Sequence, residues 1–264
     1  MAGLSISTAW DETAAFVGRE GSLLFPVGFV FLALPSVIVG LLMPEAIDSA
    51  KTYPEMMAAI RPLLPQIMAT FAVATLITLV GSLALYALCL RPGGTSVGEA
   101  LRLALSRFAV ALAATLLLLL AWSVLFSIPF TLGAAGAGHA MGLAFLLLIP
   151  LAVFAGIRLM LLSAVIMGEA GGPLDAIRRS WALTRGHFWK LFGFVIVVAI
   201  VVVVVSIVGN MLLGFIDLAL GEGRNGVVST IGGALLNTVI NVYMLVMSAR
   251  IYRQLAGGLI VAPS

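Results

Sequence analysis

The sequence predicts an all-α fold: a polytopic membrane helix bundle of six transmembrane helices. They are built from three parallel repeats, each an amphipathic helix followed by a helical hairpin. Three observations carry this. The 264 residues include only 14 Lys and Arg and 11 Asp and Glu, while 62% are hydrophobic, and the mean hydropathy is +1.21. A soluble domain carries roughly a quarter charged residues, so this chain cannot cover a water-facing surface. Six apolar runs each reach the length of about 20 residues that a spanning helix needs. The runs are continuous rather than alternating, which argues against a barrel. Composition thereby excludes a soluble enzyme, a disulfide-built secreted scaffold and a disordered chain. Residues 1–264 read as one integral membrane domain.

The elements follow in order. Met1 to Phe16 hold Asp11 and Glu12 but no Lys or Arg, the opposite of a signal peptide's basic start. The first span is expected over Ser22–Met43, with Pro35 late in it to kink or end the helix. The second is expected over Leu63–Leu90 and the third over Phe108–Leu132, where Pro129 takes the same late position. The fourth is expected over Met141–Met167, the fifth over Phe188–Leu220 and the sixth over Val227–Ile251. Ile196 to Val205 is almost wholly β-branched. In water that favours a strand. In lipid an open strand would leave its backbone unpaired, so helix is forced.

Charge placement sets the orientation. With the N-terminus inside, the inner segments hold Arg19, then Arg91, Arg102 and Arg107, then Arg178, Arg179, Arg185 and Lys190, then Arg250 and Arg253. The outer segments hold Lys51, Arg61 and Arg224. Ten against three is a positive-inside bias, placing both termini in the cytoplasm. The remaining cation, Arg158, falls within the fourth apolar run.

The inner segments repeat. Glu99-Ala100-Leu101-Arg102 matches Asp175-Ala176-Ile177-Arg178 class for class. A more divergent first copy runs Ser7-Thr8-Ala9-Trp10, with Asp11 where the others have Arg. The units cover about 5–90, 95–168 and 172–255 and enter from the same side, unlike the inverted repeats of many transporters. In the third, Leu174, Ile177, Trp181 and Phe188 make an apolar stripe at helical spacing, with Arg178, Arg179 and Arg185 mostly off it. This suits an interfacial elbow, with Trp181 and Trp189 as headgroup-level anchors.

Arg158, Met167-Gly168-Glu169 and the run from Gly172 to Lys190 resemble a bacterial family. It comprises the membrane domain of glycerophosphoryl diester phosphodiesterase and the YciC-like inner-membrane proteins. The closing Ile251-Tyr252-Arg253-Gln254-Leu255 is similar to that family's end. The resemblance implies a six-helix protein of the bacterial inner membrane. It does not imply the hydrolase, which is a separate barrel of about 250 residues; all residues here are used by spans and loops.

Searching for chemistry returns little. His139 and His187 fall on opposite sides of the membrane and cannot share a metal. The lone Cys89 allows neither an internal disulfide nor a cysteine metal cluster. No catalytic motif, metal site or cofactor site is expected, and the chain reads as non-enzymatic. Glu45, Asp48 and Glu55 share an outer loop with Lys51 and Arg61, a solvated mixed loop. Arg158 either snorkels to the inner headgroups or faces the bundle and holds a lipid phosphate. Asn210, Asn237 and Asn241 are expected to hydrogen-bond between helices, and Ala109/Ala113 and Ser229/Gly233 to let helices approach closely. The expected partners are membrane lipids with anionic headgroups, bound through Arg158, Arg178, Arg179 and Arg185, or a protein partner; nucleic acid is not expected. The expected role is in envelope or lipid homeostasis. The alternative is a transporter or channel for a lipid or small amphiphile.

Overall fold

A computed structural model describes residues 5–41, 52–91, 95–221 and 226–257. Glu45, Asp48, Lys51 and Arg224, used in the charge reading, lie outside these residues, as does the end of the first expected span. The described residues form helices joined by short turns, with no strand among them. Helix α1 (Ile6–Gly28) continues through a π-helical turn (Phe29–Ala33) into α2 (Leu34–Leu41). Then come α3 (Tyr53–Ile60) and α4 (Leu64–Leu90), joined by a 3-10 turn at Arg61–Leu63. Helix α5 (Val97–Ala134) pairs with α6 (Gly138–Leu159). Helices α7 (Leu162–Gly168) and α8 (Pro173–Leu183) are short, and α9 (Phe188–Ala219) pairs with α10 (Val227–Leu255).

Six helices are long and apolar enough to cross a membrane. Within the described residues every expected span falls inside one of these except for Leu41 and Leu220, each one residue beyond its end. The all-helical bundle is therefore as the sequence predicts, and the protein is an integral, multi-pass membrane protein.

Packing is uneven along the bundle. One end holds the buried core: Phe16 and Leu24 of α1, Leu83 and Leu85 of α4, Leu161 and Val165 around α7, and Val246, Ile251 and Tyr252 of α10. The other end exposes a band of large apolar side chains, including Met68, Leu120, Leu147, Val204 and Leu218. Bare apolar surface of that extent belongs in lipid. The basic residues assigned to the inner side that are described cluster at the packed end, where Ser5 N donates to Gln254 Oε1 at 3.2 Å.

The sequence repeat has a structural counterpart. Each unit opens on a helix N-cap four residues before a buried alanine. Ala9 N donates to Ser5 O, Ala100 N to Ser96 O and Ala176 N to Gly172 O. Those three alanines are all buried. Glu99 and Asp175, the matched acids, do the same job: each accepts from the backbone N–H of its own cap residue, Ser96 or Gly172.

The structure differs on the elbows. In units one and two the amphipathic segment is not a separate helix. It runs unbroken into the span, as Ile6–Gly28 and Val97–Ala134. No glycine turn or proline separates those segments from their spans, and Pro26 and Pro129, further along, sit inside the helices without ending them. In unit three, Gly186 adopts φ +88°, a left-handed conformation open to glycine, and turns the chain between α8 and α9.

A second difference lies in the fourth apolar run. The helix breaks at Met160 and Leu161. Before the break Leu147 is 74% exposed; after it Leu161 and Ala164 are fully buried. Gly138 to Arg158 rises about 30 Å, enough alone to cross the hydrocarbon. The remainder is a core helix under the elbow. On α5 close packing uses other small residues than expected, while Gly233 of α10 does lie against Asn210 of α9. Ala100, Ala104, Ala111 and Ala114 are buried on α5, while Ala109 is exposed.

Candidate functional site

The break after Leu159 brings Arg158 to the elbow. The carbonyls of a helix's last turn have no intrahelical donor. Here the hydroxyls of α8 supply them: Ser180 Oγ donates to Arg158 O at 3.0 Å. Thr184 Oγ1 reaches the same carbonyl at 3.3 Å and Ser180 O at 3.0 Å. The face that α8 turns inward is therefore Ala176, Ser180 and Thr184, all buried. The apolar stripe lies beside it, with Leu174 and Trp181 exposed.

The Arg158 side chain sits in an aromatic cage drawn from three elements. Its guanidinium carbon lies 5.1 Å from the ring centre of Phe154 in α6, 5.5 Å from Trp181 in α8 and 6.0 Å from Phe188 in α9. Phe154 touches both other rings, at 5.6 and 5.1 Å between centres. Each such cation–π contact contributes about 0.5–2 kcal/mol. Ring faces hold the charge but offer no lone pairs in the guanidinium plane. Arg158 Nε and Nη1 are buried and have no hydrogen-bond partner among the described residues. That leaves three of its five N–H donors unanswered. His187, next to Phe188, likewise has a buried Nδ1 without a partner.

The other elbow arginines divide. Arg179 Nε lies 3.0 Å from both carboxylate oxygens of Glu169. Tyr252 Oη donates to Glu169 Oε1 at 3.1 Å, so one carboxylate ties the elbow to the last helix. Arg179, expected to hold a lipid, is thus engaged within the protein. Arg178 and Arg185 stand exposed, with no ion pair among the described residues.

The amides do not do what was expected of them. Asn210 Nδ2 donates to Ser206 O within its own helix at 2.7 Å. Asn241 Nδ2 donates to Asn237 O at 2.8 Å and also meets Asn237 Oδ1. Among the described hydrogen bonds, none of these amides bridges two helices. Asn210 Oδ1 does lie against Gly233, where a Cβ would come to 3.3 Å. A lone amide in lipid satisfies itself on the nearest carbonyl one turn back, which costs no second helix.

A group of interhelical polar contacts sits at the packed end, on the last turns of α10. Thr13 Oγ1 approaches Met247 Sδ at 3.3 Å, and Tyr86 Oη pairs with Ser248 Oγ at 2.7 Å. The Arg250 guanidinium carbon stands 4.3 Å above the Phe16 ring. Sequence reasoning missed this hub, because Ser, Tyr and Met carry no signal until a partner is known.

A second concavity lies elsewhere. A groove of about 410 Å³ opens between α2 and α4, beside the π turn. Ser36, Thr75, Thr78 and Ser82 put hydroxyls on its otherwise apolar wall. It does not include Arg158.

This architecture defines a class: an all-helical, multi-pass integral membrane protein with a caged arginine at a basic elbow. The chain belongs to the family described as Domain of unknown function (DUF7847), whose family model matches residues 4–255. No curated protein and no solved structure matches the chain.

Proposed function

We propose that the protein is a non-enzymatic, multi-pass protein of the bacterial inner membrane that binds anionic lipid headgroups through its third elbow. Both termini are cytoplasmic in this reading, and the packed end meets the inner leaflet. The role is in envelope or lipid homeostasis. The carrying observation is the way α8 is mounted. Its hydroxyl face is spent on the bundle, which leaves Leu174 and Trp181 exposed beside the exposed Arg178 and Arg185. Apolar anchors next to free cations suit a charged bilayer surface. Kinship with the glycerophosphoryl diester phosphodiesterase membrane-domain and YciC-like family is part of the same proposal and rests on Arg158 to Lys190.

The test uses Arg178→Gln/Arg185→Gln in protein extracted with its surrounding lipid. The share of phosphatidylglycerol retained should fall relative to wild type, and more so at low salt, where exposed charges are least screened. An unchanged lipid profile would remove the headgroup role.

The groove between α2 and α4 favours a second reading, transport of a lipid or small amphiphile. Its hydroxyls face the lipid band next to a π turn, a feature common at functional sites. Proteoliposomes that move no labelled lipid would end that reading.

A further inference from the structure

Arg158 raises a problem that the elbow's surface charges do not answer. A guanidinium with unpaired buried donors is costly, because each donor has given up water without gaining an acceptor. The cage stabilises the charge from its faces, yet the edge stays unanswered. The ion pair formed among the described residues, Glu169 with Arg179, spends its carboxylate on another arginine and on Tyr252.

The surroundings say what kind of acceptor is missing. Nε and Nη1 are buried, so Nη2 is the edge of the guanidinium left to meet the exterior. What lies outside is the bilayer interface. Trp189 is 78% exposed in the first turn of α9, and Trp181 is exposed on the cage itself. Tryptophans so placed mark headgroup depth. Further positive groups converge on the same turn. Arg185 and Lys190 on it are exposed. His187 caps α9 with no side-chain bond, so the N–H groups of that first turn add a weaker positive end. At headgroup depth, the anion present at high concentration is lipid phosphate.

We propose that the aromatic cage of Arg158 and the Thr184–Lys190 turn form a seat for the phosphate of one phospholipid. Arg158 presents its Nη2 edge to a phosphate oxygen, which also balances the charge of the buried remainder, and Phe154, Trp181 and Phe188 hold the guanidinium in place. Arg185 and Lys190 add charge, and Trp189 flanks the lipid's glycerol region. This deepens the headgroup reading and rests on it for the elbow's depth in the membrane. It differs in stoichiometry and in what it recognises: one lipid per chain, selected by phosphate rather than by net charge.

The experiment titrates delipidated, detergent-solubilised full-length protein with short-chain phosphatidylglycerol, phosphatidylcholine and diacylglycerol, read by native mass spectrometry. The expected result is one tightly held lipid per chain for both phospholipids and none for diacylglycerol. Binding of phosphatidylglycerol without phosphatidylcholine would overturn selection by phosphate. Inorganic phosphate at millimolar concentration should not displace the lipid; displacement would make the seat one for a soluble anion and sink the lipid assignment. Arg158→Gln should weaken the single-lipid affinity roughly ten- to a hundredfold, the effect of losing a charge-assisted hydrogen bond. Should that variant not fold, Arg158→Lys keeps the charge but loses the planar fork and the stacking, and it should still weaken binding about tenfold. Wild-type affinity in a folded variant of either kind would leave Arg158 a purely structural cation and overturn the proposal. Arg178→Gln, at a residue outside the seat, separates the two readings. If it leaves lipid enrichment unchanged while Arg158→Gln abolishes the single site, the elbow reading fails and the seat stands.

Discussion

Glu169 shows how much a single residue can join. It accepts from Arg179 of α8 and from Tyr252 of α10, and Gly168 beside it leaves room for the tyrosine. A Cβ on Gly168 would come within 2.6 Å of Tyr252 Oη. Tyr252→Phe removes one hydrogen bond and leaves Glu169 its arginine, so it should cost about 1 kcal/mol. Gly168→Ala forces the ring aside and should cost more, about 1–3 kcal/mol. Thermal unfolding in detergent should therefore rank Gly168→Ala below Tyr252→Phe; the reverse order would show that Tyr252 tolerates displacement. The sequence marks both residues as carriers of the resemblance but not their contact, since Glu169 and Tyr252 are 83 positions apart. Arg158 could be chosen, because a cation inside an apolar run is conspicuous in any reading. Its three aromatic neighbours could not, since two of them follow it by 23 and 30 positions.

Elements depend on what ends them. The π turn at Phe29–Ala33 sits just before Pro35, which lacks an N–H. There Leu34 N reaches back to Phe29 O, the wider spacing of a π turn. The α4 helix packs closely against this turn. At Gly81 an added Cβ would come to 2.1 Å from Phe31 Cβ. Gly81→Ala should destabilise by about 1–3 kcal/mol or shift the first helix, seen as a lower melting temperature. At the far end of the bundle, Asp217 of α9 caps the next helix. Its carboxylate accepts from Val228 N at 3.1 Å and Ser229 N at 2.9 Å. Asp217→Ala should cost about 1–2 kcal/mol, with hydrogen exchange faster in the first turn of α10 and unchanged near Tyr252. Helix α8 is held by its hydroxyls, so Ser180→Ala/Thr184→Val should raise exchange across Pro173–Leu183 ahead of the spans. Equal protection would show that packing of Ala176 and the cage suffices. The sequence placed α8 as an interfacial elbow with its apolar stripe at the membrane surface, but gave no sign of which face holds the bundle. In a membrane protein that stripe is free to face lipid, and the small polar face makes the protein contact.

For the molecule as a whole, the division is between a lipid-facing band and a packed end. The positive-inside reading assigns the packed end to the cytoplasm. Single cysteines at Ser7 and Thr95, in a Cys89→Ser background, should react with an impermeant maleimide only after the membrane is opened. Cysteines at Thr52 and Ala137 should react in intact spheroplasts. The opposite pattern would invert the orientation and put the elbow on the outer side.

Scarcity of charge and six long apolar runs determined by themselves that this chain is a helical, multi-pass membrane protein. Only helices and closed barrels pair their backbone in lipid, and continuous rather than alternating apolar runs select the helix. The matched Glu99-Ala100 and Asp175-Ala176 pairs likewise announced the repeat, since a capping acid and a small buried residue are local requirements. The tertiary structure alone decided where the fourth apolar run stops being a span. Lipid and a protein core both select apolar residues, so hydropathy reads the same on either side of Leu159. That decision moved Arg158 from the interior of a membrane helix to its end. There a hydroxyl face, an aromatic cage and a neighbouring turn meet around it from distant stretches of the chain.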